Sequence, residues 1–472
     1  MNVKGLITVI SLTAALSVTL SAAPQENNGQ KYLNRPMPAS WDEDNGFDTA
    51  PYDDAAWWTQ FGDSVLDSLI VIGEQNNYDL SIAARRIELA RRQLDATRSS
   101  YYPQLGVSAG WTRTRRSGAA EGRDVPASVS SAWDLGASAS WEIDVFGKIT
   151  SQVRQGKANV RLSRADFEAA LVSLRAQIAT TYIQLRVYQN EMEVARRHSE
   201  SQLKVVRITE ARHEAGLASQ LDVAQAKTVY YSTISQIPLL ENSINATINA
   251  LSVMLGEYPD SLKISLTTLA PLPDYNQITS AGMPMDLLTR RPDIIAAREQ
   301  IAVASEQLGI ARKDYLPSLA ITGSIGTQAH DAKDLFKRNS FTYTVAPVLS
   351  WTLFDGFARR AATAEAREQL STAVDNYNLT VLTAVEETDN AMSAYVHYLN
   401  YIRSINDVVE QSQEAEKLSL DLYKGGLTAF TNVVDAQLNL LTYQNSLVVA
   451  QGEALTALVD LYKALGGGWQ LQ

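Results

Sequence analysis

The chain has 472 residues, 45 % of them hydrophobic and 8 % aromatic, and a mean hydropathy of −0.15, values that exclude both a disordered chain and a helical membrane protein. Its 52 acidic against 41 basic residues leave a net charge of −11, which argues against a nucleic-acid partner, since phosphate backbones demand lysine and arginine patches. Cysteine is absent, so disulfides, thiolate metal sites, cysteine nucleophiles and lipidated cysteines are excluded.

At the N-terminus, Lys4, the apolar stretch Leu6 to Leu20 and the small residues Ser21-Ala22-Ala23 follow the order of a secretory signal peptide, predicted over 1–23. Residues 24–62 are rich in Pro, Asn, Asp and Gly and are expected to form an extended strap without secondary structure. From there the chain is built twice. Gly216-Leu217 recurs as Gly426-Leu427, Leu255-Gly256 as Leu465-Gly466, and Trp141 as Trp351, each 210 positions further on.

The first repeat, 63–256, is predicted to begin with a helix over about Asp63–Ser100 and to continue with strands at about 104–113 and 132–145. Leu105, Val107, Ala109 and Trp111 alternate with small or polar residues, as do Trp133, Leu135, Ala137, Ala139, Trp141 and Ile143. A long helix is expected from about Ile149 to His213, where Leu171, Ile178, Leu185 and Met192 recur every seven residues, a coiled-coil spacing. The chain then turns at Gly216 and returns as a shorter helix, about Ser219–Leu255. Residues 257–282, rich in Pro, Ser and Thr, are predicted as a non-helical belt.

The second repeat, 283–467, follows the same plan, leaving 468–472 as a tail. It is predicted to hold a helix over Met285–Lys313, strands at about 318–326 and 341–354, a long helix, a turn at Gly426, and a return helix over Thr428–Leu465. Val374, Val381, Thr388, Tyr395, Ile402 and Val409 keep one heptad position, and Tyr377, Ala384, Ala391, Tyr398 and Ile405 the other. Strand lengths of about 9–11 residues, with aromatics near strand ends, suit a membrane barrel. Four strands cannot close one, so several copies must share it.

The motifs Trp57-Trp58-Thr-Gln-Phe61, Tyr102-Pro103-Gln-Leu105, Trp141-Glu-Ile-Asp144-Val-Phe146-Gly147, Arg290-Arg291-Pro292-Asp293, and the two tip sequences resemble the outer membrane efflux proteins of the TolC family, in particular its OprM/NodT-like branch. The resemblance implies a mainly α protein with a membrane β-barrel. Three chains of four strands close a trimeric 12-stranded β-barrel, continued by a periplasmic α-helical barrel. It further implies a periplasmic adaptor (membrane fusion) protein and an inner-membrane pump of the RND type as partners, and outer membrane lipid around the barrel. Many members of this branch carry a lipidated N-terminal cysteine; without one, the barrel alone is expected to hold this chain in the membrane.

No catalytic or metal-binding constellation is visible, so neither an enzyme nor a cofactor is expected, and function is assigned to a gate and to docking surfaces. By the resemblance, Asp435 lines the periplasmic end of the lumen, with Asn432 and Thr431 on the preceding turn. Phe430 either forms a constriction or packs between helices. Asp222 fits a capping box with Ser219, and by resemblance also bonds Tyr423 of the other hairpin to hold the entrance shut. Gly216 and Gly426 suit left-handed helix ends, and the adjacent Leu217 and Leu427 are candidates for adaptor contact. The favoured function is the exit duct of a drug-efflux system. A protein-secretion (type I) or metal-export duct would use the same fold, and a pore-less secreted coiled-coil protein is the competing class.

Overall fold

The computed structural model describes residues 29–41, 47, 56–117, 126–259, 261–262, 266–273 and 282–467. The expected signal peptide, the tail 468–472 and parts of the strap and belt lie outside the described residues. The first repeat comprises α1 (Ser64–Asn76), α2 (Tyr78–Arg98), β1 (Gln104–Arg116), β2 (Ser128–Ile143), α3 (Lys148–Glu214) and α4 (Gln220–Met254). The second comprises α5 (Pro292–Lys313), β3 (Ser318–Ala329), β4 (Phe341–Ser350), α6 (Ala358–Lys424) and α7 (Phe430–Ala464). Internal duplication is strict in the helices: α3 and α6 are each 67 residues and α4 and α7 each 35. At 1.5 Å per residue the long helices are rods of about 100 Å.

The four strands form one antiparallel sheet in chain order, with β1 and β4 at its edges. Pairing sets Leu105, Ala139, Gly323 and Val345 in one row and Gly106, Ser138, Ser324 and Thr344 in the next. Every second row is therefore apolar, and the apolar face is uncovered: Leu105, Val107 and Tyr343 are 81 %, 83 % and 73 % exposed. The polar face encloses a concavity of about 450 Å³ lined by Gln104, Ser138, Ser140, Thr322 and Thr344. A sheet curling around its polar side, with large apolar side chains outside, has the pattern of a barrel wall in lipid.

Three strands outrun the sequence expectation: β1 and β3 end at Arg116 and Ala329, and β2 begins at Ser128. Their outer ends are paired but polar, so hydrophobic alternation alone does not reveal them. β4 stops at Ser350 instead of reaching 354, because β3 begins at Ser318, its partner, and no ladder remains for Trp351. The Trp351 indole instead donates to the Tyr315 carbonyl, as Trp141 does to that of Tyr101.

Both helices that precede the strands are interrupted where a single helix is expected. Asn77 adopts an extended conformation between α1 and α2, and its side chain accepts from the Leu80 amide at 2.9 Å. The Asn77 side-chain Nδ2 donates to the Met254 carbonyl at the end of α4, so one buried side chain joins two helix ends. In the second repeat Pro292 drives Arg291 out of the helical region, separating the turn Leu287–Arg290 from α5. Arg291 is buried and donates to the Ala464 carbonyl at the end of α7, to Asp293 and to Glu387. Each return helix thus abuts the start of a short helix, and both lie along a long one.

This equator holds the main core. Trp57 and Trp58, in a short 3-10 turn within the expected strap, are buried, and Trp57 stacks on Tyr462 at 5.0 Å. Tyr182 donates to Asp63 at 2.6 Å and accepts from Arg186, which also bonds Gln189 and the Thr268 carbonyl. Gln189 in turn holds the Leu266 carbonyl, clamping the belt onto α3. Heptad positions of α6 extend this core: Tyr377, Val381, Ala384, Thr388, Ala391, Tyr395, Ile402, Ile405 and Val409 are all buried, and Tyr377, Val381, Ala384 and Ala391 cluster with Leu287, Ile294 and Leu461 beside the Arg291 junction. Each large aliphatic among them contributes about 1.5–3 kcal/mol.

Candidate functional site: the hairpin tips and the helical mouth

Both hairpins turn by the same device. Gly216 and Gly426 have φ of 72°, a left-handed conformation that glycine adopts without strain. The Gly216 and Leu217 amides donate to His213 and Arg212, and those of Gly426 and Leu427 to Tyr423 and Leu422. This double bond pattern satisfies the last carbonyls of each long helix and leaves the next side chain outside the turn. Leu217 is 68 % exposed and Leu427 77 %.

Behind the tips the two hairpins of one chain meet in a small core of Val205, Val206, Ala226, Tyr423, Phe430 and Val433. Phe430 is buried there, its ring 5.0 Å from that of Tyr423. Within the chain it packs between helices, against Tyr423 and Val433 and the α3 residues Val205 and Val206. On the first two turns of α7, Thr431, Asn432 and Asp435 are exposed, and their helical spacing places them in one solvent-facing stripe. Asn432 donates to the Thr428 hydroxyl at 2.6 Å, fixing the first turn of α7.

Asp222 and Tyr423 are close but unbonded. The carboxylate accepts from the Ser219 amide at 3.2 Å and the Ser219 hydroxyl at 2.9 Å, while the Asp222 amide donates to that hydroxyl. The capping box therefore occupies it, because α4 needs its first amides satisfied where the chain leaves the turn. The buried Tyr423 hydroxyl makes no hydrogen bond of good geometry among the described residues. Burial pushes its pKa up and the nearby Asp222 charge adds to this, with Thr209 and Arg212 acting the other way. Within the chain, no bond joins Asp222 to Tyr423.

Arg212 provides the link instead, a role that sequence reasoning missed. Its guanidinium lies 5.0 Å from the Tyr423 ring centre and donates to the Lys424 carbonyl at 2.6 Å. The first tip is thereby tied to the last turn of the second long helix. The available signal was a cation four residues before a helix-ending glycine, where it reaches orphan carbonyls. An ion pair between Lys227 and Glu210, 2.7 Å, adds a surface link between α3 and α4. The site therefore comprises two exposed leucines, an acidic and amide-bearing stripe, and a cationic clasp. That arrangement suits docking and gating.

Comparison with known proteins agrees with this geometry. The sequence profile of the family described as "Outer membrane efflux protein" matches residues 69–257 and 283–467, one stretch in each repeat. Over 440 residues the chain is 31 % identical to the pyoverdine export outer membrane protein OpmQ of Pseudomonas putida, with 92 % of each covered. It is 29 % identical over 420 residues to the toluene efflux pump outer membrane protein TtgI of Pseudomonas putida, with 87 % of each covered. The solved outer-membrane channel OprN superposes with a TM-score of 0.86 at 28 % identity, over 92 % of this chain and 98 % of that one. For VceC of Vibrio cholerae the TM-score is 0.80 at 26 % identity, over 89 % and 100 %.

Proposed function

We propose a function from one premise: the chain belongs to the outer membrane efflux protein family. It is an outer membrane channel subunit of a tripartite efflux system, a passive exit duct for small molecules. The observation that carries this reading is the sheet, apolar and uncovered outside, polar and concave inside, and unpaired along β1 and β4. In lipid each open edge would leave a row of backbone groups unsatisfied, and joining β4 of one copy to β1 of the next removes both edges. Three copies give twelve strands.

We assign the finer roles by the same logic. The exposed Leu217 and Leu427 are the contacts for a periplasmic adaptor, which joins the duct to an inner-membrane pump of the RND type. Asp435, with Thr431 and Asn432, faces the lumen, so that three carboxylates ring the periplasmic mouth and favour cations. Relatives named for the export of pyoverdine and the efflux of toluene support small-molecule cargo for this chain as well.

Leu217→Asp combined with Leu427→Asp puts charge where docking must exclude water. In an efflux-deficient host carrying the cognate pump, this variant is expected to assemble yet restore no export. Full export would remove the tips from the docking role. Asp435→Asn is expected to lower cation preference in planar bilayers, and an unchanged reversal potential would place the selectivity elsewhere.

A further inference from the structure

The outward row of β1 changes chemistry at its far end. Leu105, Val107, Ala109 and Trp111 are followed on the same face by Arg113 and Arg115, because β1 stays paired with β2 as far as Arg116 and alternation never breaks. Trp111 faces Trp133 with ring centres 6.0 Å apart, an aromatic pair at one level of the wall. Trp141 lies eight residues along β2 from Trp133, about 27 Å of strand, which a tilted strand converts to roughly the height of the apolar band. Arg113 and Arg115 stand about 7 and 14 Å further along the strand than Trp111, above the aromatic level and on the lipid side.

Both arginines are exposed and make no ion pair or side-chain hydrogen bond among the described residues. Their cross-strand neighbours are Ser131 and Val129. Asp134, the described acid of β2 closest to this end, is paired with Gly110 and so lies on the polar face. On the β3–β4 connection at the same end, Lys337 pairs with Asp334, while Lys333 and Arg338 balance Asp331 with a surplus of cation. In a chain of net charge −11, two cations without a counter-charge among the described residues stand where the wall meets the external headgroups.

We propose that Arg113 and Arg115 form a binding site for the phosphate groups of an anionic glycolipid in the external leaflet. This rests on the outer membrane reading above. A planar guanidinium presents paired N–H donors that match two phosphate oxygens, and two of them on one face grip a phosphorylated headgroup from the side. The Trp111–Trp133 pair beneath offers an amphipathic ledge for the sugar and the first acyl carbons.

The test uses the full-length assembly in neutral detergent, titrated with micelles of bisphosphorylated lipid A, with thermal midpoint and bound lipid as readouts. Binding is expected to weaken roughly fivefold for each arginine removed, hence about 25-fold in Arg113→Gln/Arg115→Gln. Arg113→Lys/Arg115→Lys is expected to recover part of it. Enzymatically dephosphorylated lipid A should bind wild type no better than the glutamine variant, and inorganic phosphate at the same concentration should produce no shift. Equal binding of the two lipid A forms by wild type overturns the proposal even if the variant fails to assemble. Saturation by inorganic phosphate alone overturns the lipid source. Subunit count and conductance are measured in parallel; both should be unchanged in the variants, so failure of the lipid site is distinguishable from failure of the channel reading.

Discussion

At the tips, the contact between hairpins rests on Arg212 and not on the hydroxyl of Tyr423. The hydroxyl is buried without a hydrogen bond of good geometry, whereas Arg212 bonds the Lys424 carbonyl and lies over the tyrosine ring. The clasp combines a charge-assisted hydrogen bond with a partly exposed cation–π contact, together about 2–3 kcal/mol per chain. Arg212→Gln is therefore expected to loosen the mouth and raise single-channel conductance in planar bilayers, while Tyr423→Phe leaves it near wild type. The reverse order would return the gate to the tyrosine hydroxyl. Phe430 shows why the sequence left this region open: an aromatic on the first turn of a helix has no periodic partner that says which side it faces. Its burial is decided by Tyr423 and Val433 and by Val205 and Val206 on α3, more than two hundred residues upstream. Asp222 shows the local term prevailing, since a capping box four residues long needs no tertiary contact to form.

Among the elements, the end-to-end helix junctions fix the architecture, and glycine permits them. A Cβ on Gly256 would overlap the Asn76 carbonyl oxygen, and one on Gly466 would come within 2.9 Å of the Arg290 carbonyl oxygen. Gly216 has the same backbone conformation and nothing within 4 Å of the added atom. Gly256→Ala therefore combines left-handed strain with collision and is expected to cost about 2–5 kcal/mol, against roughly 1–2 kcal/mol for Gly216→Ala. Chemical denaturation of the two variants checks this, and equal losses would mean that the junction yields freely. Much of this level is legible in the sequence. The heptads of α6, the 210-residue offset and the alternation of the strands are periodic signals that each repeat states independently. The breaks at Asn77 and Arg291 are less legible. Pro292 marks the second break locally, but at Asn77 no proline or glycine does, and each break is stabilised by a carbonyl supplied by a distant helix end, Met254 or Ala464. The outer strand ends were missed for a related reason: paired residues beyond the apolar band no longer alternate hydrophobic with polar.

For the whole molecule, a single chain is an incomplete object. Its sheet has two free edges and an uncovered apolar face, and its long helices keep exposed Leu379, Leu382 and Leu418 in addition to the tip leucines. An isolated copy would expose far more apolar surface than a soluble monomer tolerates, and lipid cannot satisfy the strand edges. Closure through further copies resolves both, with sheets forming one barrel and hairpins one tunnel. The duplicated helices suit this, since two near-equivalent hairpins per chain place six around a three-fold axis. Native mass spectrometry of the folded protein released from outer membranes into mild detergent tests this most directly. The expected result is a single species of three chains, each of at most 51.7 kDa. A folded monomer as the dominant species would contradict it.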